Sequence, residues 1–213
     1  MSKPPITVRE DAGVDKALQV MHSEDVRRLP VVDKQGKMVG IVSELDLLKV
    51  SPSPATTLSI YEIPYLLSKI KMKDVMTTDV VSVTEDTALE DAARLMADSK
   101  IGGLPVLRGD DVVGMITETD LFKTFLEMLG GRQDGVRVTV VIPSEKGQLA
   151  KITGKIAEMD GNILALGTMM GDDPSHYLVT VRVEDVEETQ LVAAMKELGF
   201  EVRDARFCSI TGC

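Results

Sequence analysis

The chain has 213 residues, room for one large domain or two to three small ones. Hydrophobic residues make up 44% and charged residues 27%, an ordinary globular mixture, and 34 acidic against 24 basic residues give a net charge of −10. That balance speaks against a general binder of nucleic-acid phosphates, which needs a positive field. No run reaches the roughly 18 apolar residues of a spanning helix, and the opening "MSKPPITV" lacks a charged-then-apolar leader. The sequence therefore reads as soluble and cytoplasmic, with neither a membrane nor a nucleic acid as partner.

In chain order, "ITV" is a short β-branched strand. Val14, Ala17, Leu18 and Met21 follow at the spacing of a buried helix face. "LPVVD" and "MVGIVS", joined by a Gly-containing turn, read as a hairpin, and a helix opens at Ser43. Ser51-Pro52-Ser53-Pro54 stops that helix, because proline lacks the amide donor and restricts the residue before it. Ser59 and Glu62 form a capping box, with Leu58 and Ile63 placed as a hydrophobic staple. Pro64 should bend the helix that follows, which either covers the preceding elements or serves self-association.

The pattern then repeats. A shift of 75 places Met1 on Met76, Ala17 on Ala92, Met21 on Met96 and Leu29-Pro30-Val31 on Leu104-Pro105-Val106. After the turn a shift of 74 places Gly40 on Gly114 and Asp46 on Asp120. The second copy has "KMKDVM" before its first strand, whereas the first copy starts at the equivalent of Met76, so its N-terminus reads as clipped. Each copy is a β-α-β-β-α unit too small to bury a core alone, so the two are expected to pack as one module. The second closing helix opens at Thr117 and stops at Gly130-Gly131.

From "VRVTVVI" onward nothing matches the repeat. Strand, helix, two strands, helix and strand follow, the βαββαβ order of a ferredoxin-like domain, with Leu149, Ile152, Ile156 and Met159 on the apolar face of its first helix. The two cysteines, Cys208 and Cys213, read as free thiols in a reducing compartment. A single C-x4-C is a poor zinc site.

The twin "PVVD … GIVSELD" and "LPVLR … GMITETD" stretches resemble the CBS motif, and a tandem pair of them resembles a Bateman module. "IPSEKGQLAKI" and "MDGNI" resemble the ACT domain, with Lys146 where that family has proline. The whole arrangement resembles the acetoin-utilisation B-type proteins. The expected fold is thus α/β (α+β), a CBS-domain pair followed by a ferredoxin-like ACT domain. Residues 1–50 form the first CBS repeat, 51–70 a linker with a helix, 71–131 the second repeat and 135–208 the ACT domain.

Taken alone, Ser43-x-x-Asp46 and Thr117-x-x-Asp120 are helix caps. The same geometry suits an adenosine phosphate, since helix amides and a hydroxyl meet phosphate and a carboxylate accepts ribose hydroxyls. The resemblance implies a base slot from Ile6, Thr7, Val26 and Val31 beside Ser43 and Asp46. In the second copy it implies Val80, Val81, Ile101 and Val106 beside Thr117 and Asp120. The copies differ at Arg27-Arg28 against Gly102-Gly103: arginine forks bind phosphate, and a glycine pair gives close backbone approach. Either arginine is expected to reach a phosphate in the central cleft, or both are simply solvated.

In the ACT part, Lys146, Gly147, Gln148 and Leu149, with Asn162 and Ile163, are the candidate amino-acid site, placed by the resemblance at an interface between two copies. His22 and His176 have no catalytic partner in the pattern, Asp172-Asp173-Pro174 reads as a turn, and no P-loop, GxGxxG, HExxH or CxxC occurs. The expectation is a non-catalytic, homodimeric regulatory protein that needs no cofactor. It senses AMP, ADP, ATP or another adenosine derivative, acts on an unidentified protein partner, and either binds an amino acid at the ACT interface or only dimerises through that domain. The alternative is a constitutive scaffold with vestigial pockets.

Overall fold

In this computed structural model residues 5–52, 62–171 and 173–213 are described. They fall into two compact units, Met1–Leu121 and Phe122–Cys213. The capping box expected at Ser59 lies largely outside the described residues.

The first unit holds the duplication up to Leu121, in the first turn of the last helix of the second copy. Strand β1 (Val8–Arg9) leads to α1 (Val14–Ser23), then to β2 (Arg28–Val32), β3 (Met38–Ser43) and α2 (Glu44–Lys49). The second copy is β4 (Val83–Thr84), α5 (Leu89–Ser99), β5 (Gly103–Arg108), β6 (Asp111–Thr117) and α6 (Glu118–Met128). Each copy makes a three-stranded sheet, with a parallel first pair and an antiparallel hairpin. Both hairpins carry a register shift at the same place, after Val31 and after Val106. A bulge kinks a strand and strengthens its twist, so the duplication extends to an irregularity of the backbone.

The sheets are covered by the apolar faces of α1 and α5. Val14, Ala17 and Met21 pack with Leu29, Val31 and Val42, and Ala92 and Met96 pack with Leu104, Val106 and Ile116. Between the copies lie α3 (Glu62–Lys69) and the single turn α4 (Met72–Val75). Both pack on the first copy. Leu67 and the fully buried Met72 belong to its core, and backbone bonds tie Val14 to Ile70 and Met72 to Ala12. Tyr65 and Leu66 on α3 face outward, 62% and 42% exposed, so this helix covers the module with one side and leaves the other open.

Past α4, Thr77 exchanges two 2.9 Å backbone bonds with Ile41 on the edge of β3. That approach requires Gly40, because a β-carbon there would stand 2.6 Å from the Met76 sulfur and 2.9 Å from the Thr77 carbonyl oxygen.

The second unit runs β7 (Gly135–Pro143), α7 (Gln148–Glu158), β8 (Asn162–Met170), β9 (His176–Glu184), α8 (Glu188–Glu197) and β10 (Glu201–Cys208). Its antiparallel sheet has the order β10-β7-β9-β8. Alternation sorts the two faces of its central strands. Val136, Val138, Val140, Val179, Val181 and Val183 meet Ile152, Ile156, Leu191 and Met195 of the helices, while Arg137, Thr139, Thr180 and Arg182 fall on the other face. Arg182 is buried there and ties down the turn after α6, donating to the Gly130 and Gln133 carbonyls.

The cysteines correct the sequence reading. Ser209 and Gly212 bond to each other in both directions, a tight turn that returns Cys213 to Cys208, and the two form a disulfide with Cα atoms 4.0 Å apart. Compartment reasoning could not see a turn that makes the pair neighbours. Among the described residues no helix is long and apolar enough to cross a membrane.

Gly40→Ala is expected to destabilise the protein by about 1–3 kcal/mol, the usual cost of overpacking where backbone cannot withdraw. A urea melt would check this, with exposed Gly154 of α7 as the control glycine, since nothing lies within 4 Å of a β-carbon there.

Candidate functional site

The caps take the same form in both copies. Asp46 Oδ2 accepts from the Ser43 amide at 3.1 Å and from its hydroxyl at 2.6 Å, and the Ser43 oxygen accepts from the Asp46 amide at 3.3 Å. At Thr117 and Asp120 the corresponding distances are 2.9, 2.9 and 3.3 Å. Burial pushes each carboxyl up, but the hydroxyl and amide bonds to it outweigh burial and hold both below the ordinary aspartate value. Both are therefore carboxylates at neutral pH. The bonds also constrain any ligand. The single hydroxyl hydrogen of Ser43 is committed to Asp46, so donating it to a phosphate would cost that bond. Asp46 Oδ1, with Lys49 3.6 Å away, is the oxygen left to accept from a ribose.

Helix α2 has only six residues, so its dipole offers an anion little. Positive charge comes from Arg28. Its Nη2 reaches across to the second copy, 2.6 Å from where a Gly102 β-carbon would stand, and its Cδ lies 3.6 Å from the same point on Gly103. Arg28 and Gly103 are equivalent in the two repeats. Equivalent residues meet only near the axis relating the copies, and a second such contact, the Lys37–Asp111 bridge between equivalent hairpin residues, marks the same axis. Two arginines could not share that space, which accounts for Arg-Arg in one copy and Gly-Gly in the other. Arg27 is exposed and Arg28 half-buried, so the structure separates two residues the sequence left as alternatives.

The remaining candidates divide. Ile6, Thr7, Val26, Val80 and Ile101 are half-buried before their strands, and Val81 is exposed. Val31 and Val106 are 0% and 4% exposed, in the cores of their copies. Glu118 was missed. Its Oε2 lies 2.7 Å from the Gly102 β-carbon position, opposite Arg28, and only the axis contact reveals it.

In the second unit a cavity of about 270 Å³ opens at the start of α7, lined by Glu145, Gly147, Gln148, Leu149, Thr168 and Tyr177 among others. Gln148 is 5% exposed. Its Nε2 donates to Glu145 at 3.0 Å, and its Oε1 has no partner. Lys146 is exposed beside it. Asn162 and Ile163 are not brought to this cavity within one chain: they begin β8, six residues or about 20 Å from Thr168, and Asn162 donates to Glu184. Glu145, Thr168 and Tyr177 were not singled out by sequence, although the Glu145–Gln148 spacing of three carried a signal. No cluster of His, Cys, Asp and Glu among the described residues could hold a metal.

A duplicated β-α-β-β-α unit with paired Ser/Thr–Asp caps about one axis defines a tandem two-repeat module. The chain belongs to the CBS domain family, whose model matches residues 1–53 and 72–127. An uncharacterized Methanocaldococcus jannaschii protein is 29% identical over 156 residues, covering 71% of this chain but 37% of its own length. CBSX2, a chloroplastic CBS domain-containing protein of Arabidopsis thaliana, is 32% identical over 139 residues, 57% of this chain and 58% of its own; its crystal structure is a complex with AMP, at a TM-score of 0.47. A Vibrio cholerae structure described as an acetoin utilization protein is 33% identical with a TM-score of 0.51, covering 61% of this chain and 89% of that one. The chain thus spans less than two thirds of the length of the first two relatives.

Because folding lowers the Asp46 and Asp120 pKa values, their contribution to stability is complete above the unfolded value near 4 and is lost as pH falls through the folded value. Asp46→Asn with Asp120→Asn should lower Tm at pH 7, and the gap from wild type should close once the carboxylates protonate. Calorimetry at pH 7 and pH 2.5 would check both halves.

Proposed function

We propose that this chain is a non-catalytic, cytoplasmic ligand sensor whose CBS pair binds an adenosine-type nucleotide. The observation that carries the reading is the pair of ionised caps with one guanidinium between them. A carboxylate oxygen suits ribose hydroxyls, the half-buried residues before the first strands suit a base, and Arg28 suits a phosphate. CBSX2, related in sequence, makes AMP the first ligand to try. The proposed division is 1–50 and 71–131 for the CBS repeats, 51–70 for the linker and 135–208 for an ACT domain. The residues proposed at the nucleotide are those of the two copies named above, with Arg28 ahead of Arg27. Exposed Leu45, Leu48, Tyr65 and Leu66 support association into a homodimer. Binding would then shift the balance between arrangements of that dimer and so its contact with a protein partner.

The test is thermal stabilisation of the full chain by AMP, ADP, ATP, S-adenosylmethionine and NADH. A ligand preferring the folded state must raise its stability, by about 2.7 kcal/mol at a hundredfold excess over Kd. The expected result is a rise with AMP that Asp46→Asn or Asp120→Asn diminishes. A flat Tm across the panel would favour a constitutive scaffold with vestigial pockets.

A second reading, for the ACT part, is favoured by the orphaned Gln148 Oε1. A buried acceptor without a donor costs about 1–3 kcal/mol, and an amino acid would relieve it. Its ammonium group would donate to Gln148 and Glu145, and its carboxylate would take the free amides opening α7, with Asn162 and Ile163 supplied by a second copy. Titration calorimetry with the common amino acids is expected to give binding that Gln148→Leu abolishes; no heat from any of them would leave this part a pure dimerisation domain.

A further inference from the structure

We infer that the two cap sites share a single guanidinium, so that the CBS pair holds one phosphate-bearing nucleotide at a time. The inference rests on the nucleotide reading above and deepens it.

Arg28 begins β2 directly opposite Ser43 on β3. Gly103, its equivalent, begins β5 directly opposite Thr117 on β6. The Arg28 side chain leaves the neighbourhood of the first cap and ends at that of the second. Its Cδ lies 3.6 Å, and the Thr117 methyl carbon 3.5 Å, from the same β-carbon position on Gly103. One guanidinium therefore stands between two caps, and the second copy returns none, since Gly102 and Gly103 have no side chains.

The charges facing this place sharpen the asymmetry. Asp46 and Asp120 are both ionised. Glu118 brings a third carboxylate to Gly102, from the helix that Asp120 opens. Lys49 lies against Asp46 at 3.6 Å, and Arg27 is exposed. A first phosphate taking Arg28 meets a fork suited to it. A second would meet the carboxylates with that fork already engaged, and like charges in a half-buried cleft repel more strongly than they would in water. Occupancy of one site thus opposes occupancy of the other by any ligand carrying phosphate.

The experiment is titration calorimetry of the full chain with AMP at low ionic strength, with adenosine as the comparator lacking phosphate. One AMP per chain is expected. Arg28→Gln should weaken AMP about tenfold or more, as removal of a charge-assisted bond does, and leave adenosine affinity unchanged. Lys16→Gln, at an exposed position on α1, should alter neither. Two AMP molecules bound per chain with equal affinity would overturn the shared arginine while leaving the nucleotide reading intact, as would an Arg28→Gln protein with unchanged AMP affinity. No heat from AMP or adenosine with folded wild-type protein would overturn both. Should Arg28→Gln fail to fold, the wild-type stoichiometry still decides.

Discussion

The first unit depends on one contact, the Arg28 side chain lying over Gly102 and Gly103. A duplicated chain that packs on itself must bring some residues against their own equivalents, and an identical pair there has to be small or else divided into large and small. Here the division is complete. The arginine fills what the glycines leave open, both glycines are buried, and the repeats acquire unequal chemistry as a by-product of fitting together. Packing at an axis and discrimination between sites have the same cause.

The caps carry a similar double role. A helix start must satisfy its first amides, and a hydroxyl with a carboxylate three residues on does so from its own sequence. That leaves an ionised group at a fixed place in each copy, held by an amide and a hydroxyl and half-buried. A pocket built on such a group is rigid before any ligand arrives, which lowers the ordering cost of binding. It also means that the polar atoms of the site are not idle without a ligand, since Ser43 and Asp46 already spend bonds on each other.

Much of this was legible in the residues, for identifiable reasons. The repeat shows because Leu-Pro-Val and Gly-x-x-Ser/Thr-x-x-Asp recur in register, and strand and helix periods agree with it in both copies. Ser43 and Thr117 could be placed because capping is a local rule. Val31 and Val106 are harder to place from sequence, because Leu-Pro-Val is buried at all three positions and a continuous apolar run does not say which side a slot lies on. Arg27 and Arg28 are neighbours in sequence and differ only by where β2 begins. Glu118 and the Cys208–Cys213 pair depend on approach through space, one across the axis and one around a turn.

The placement of α3 and α4 has a broader consequence. The residues that lead into the first strand of the second copy, among them Leu67, Ile70, Met72 and Val75, complete the core of the first copy. The stretch of chain that leads into one copy therefore folds with the other. Cutting at the repeat boundary would strip neither half cleanly, because the chain strengthens one copy on its way to the other.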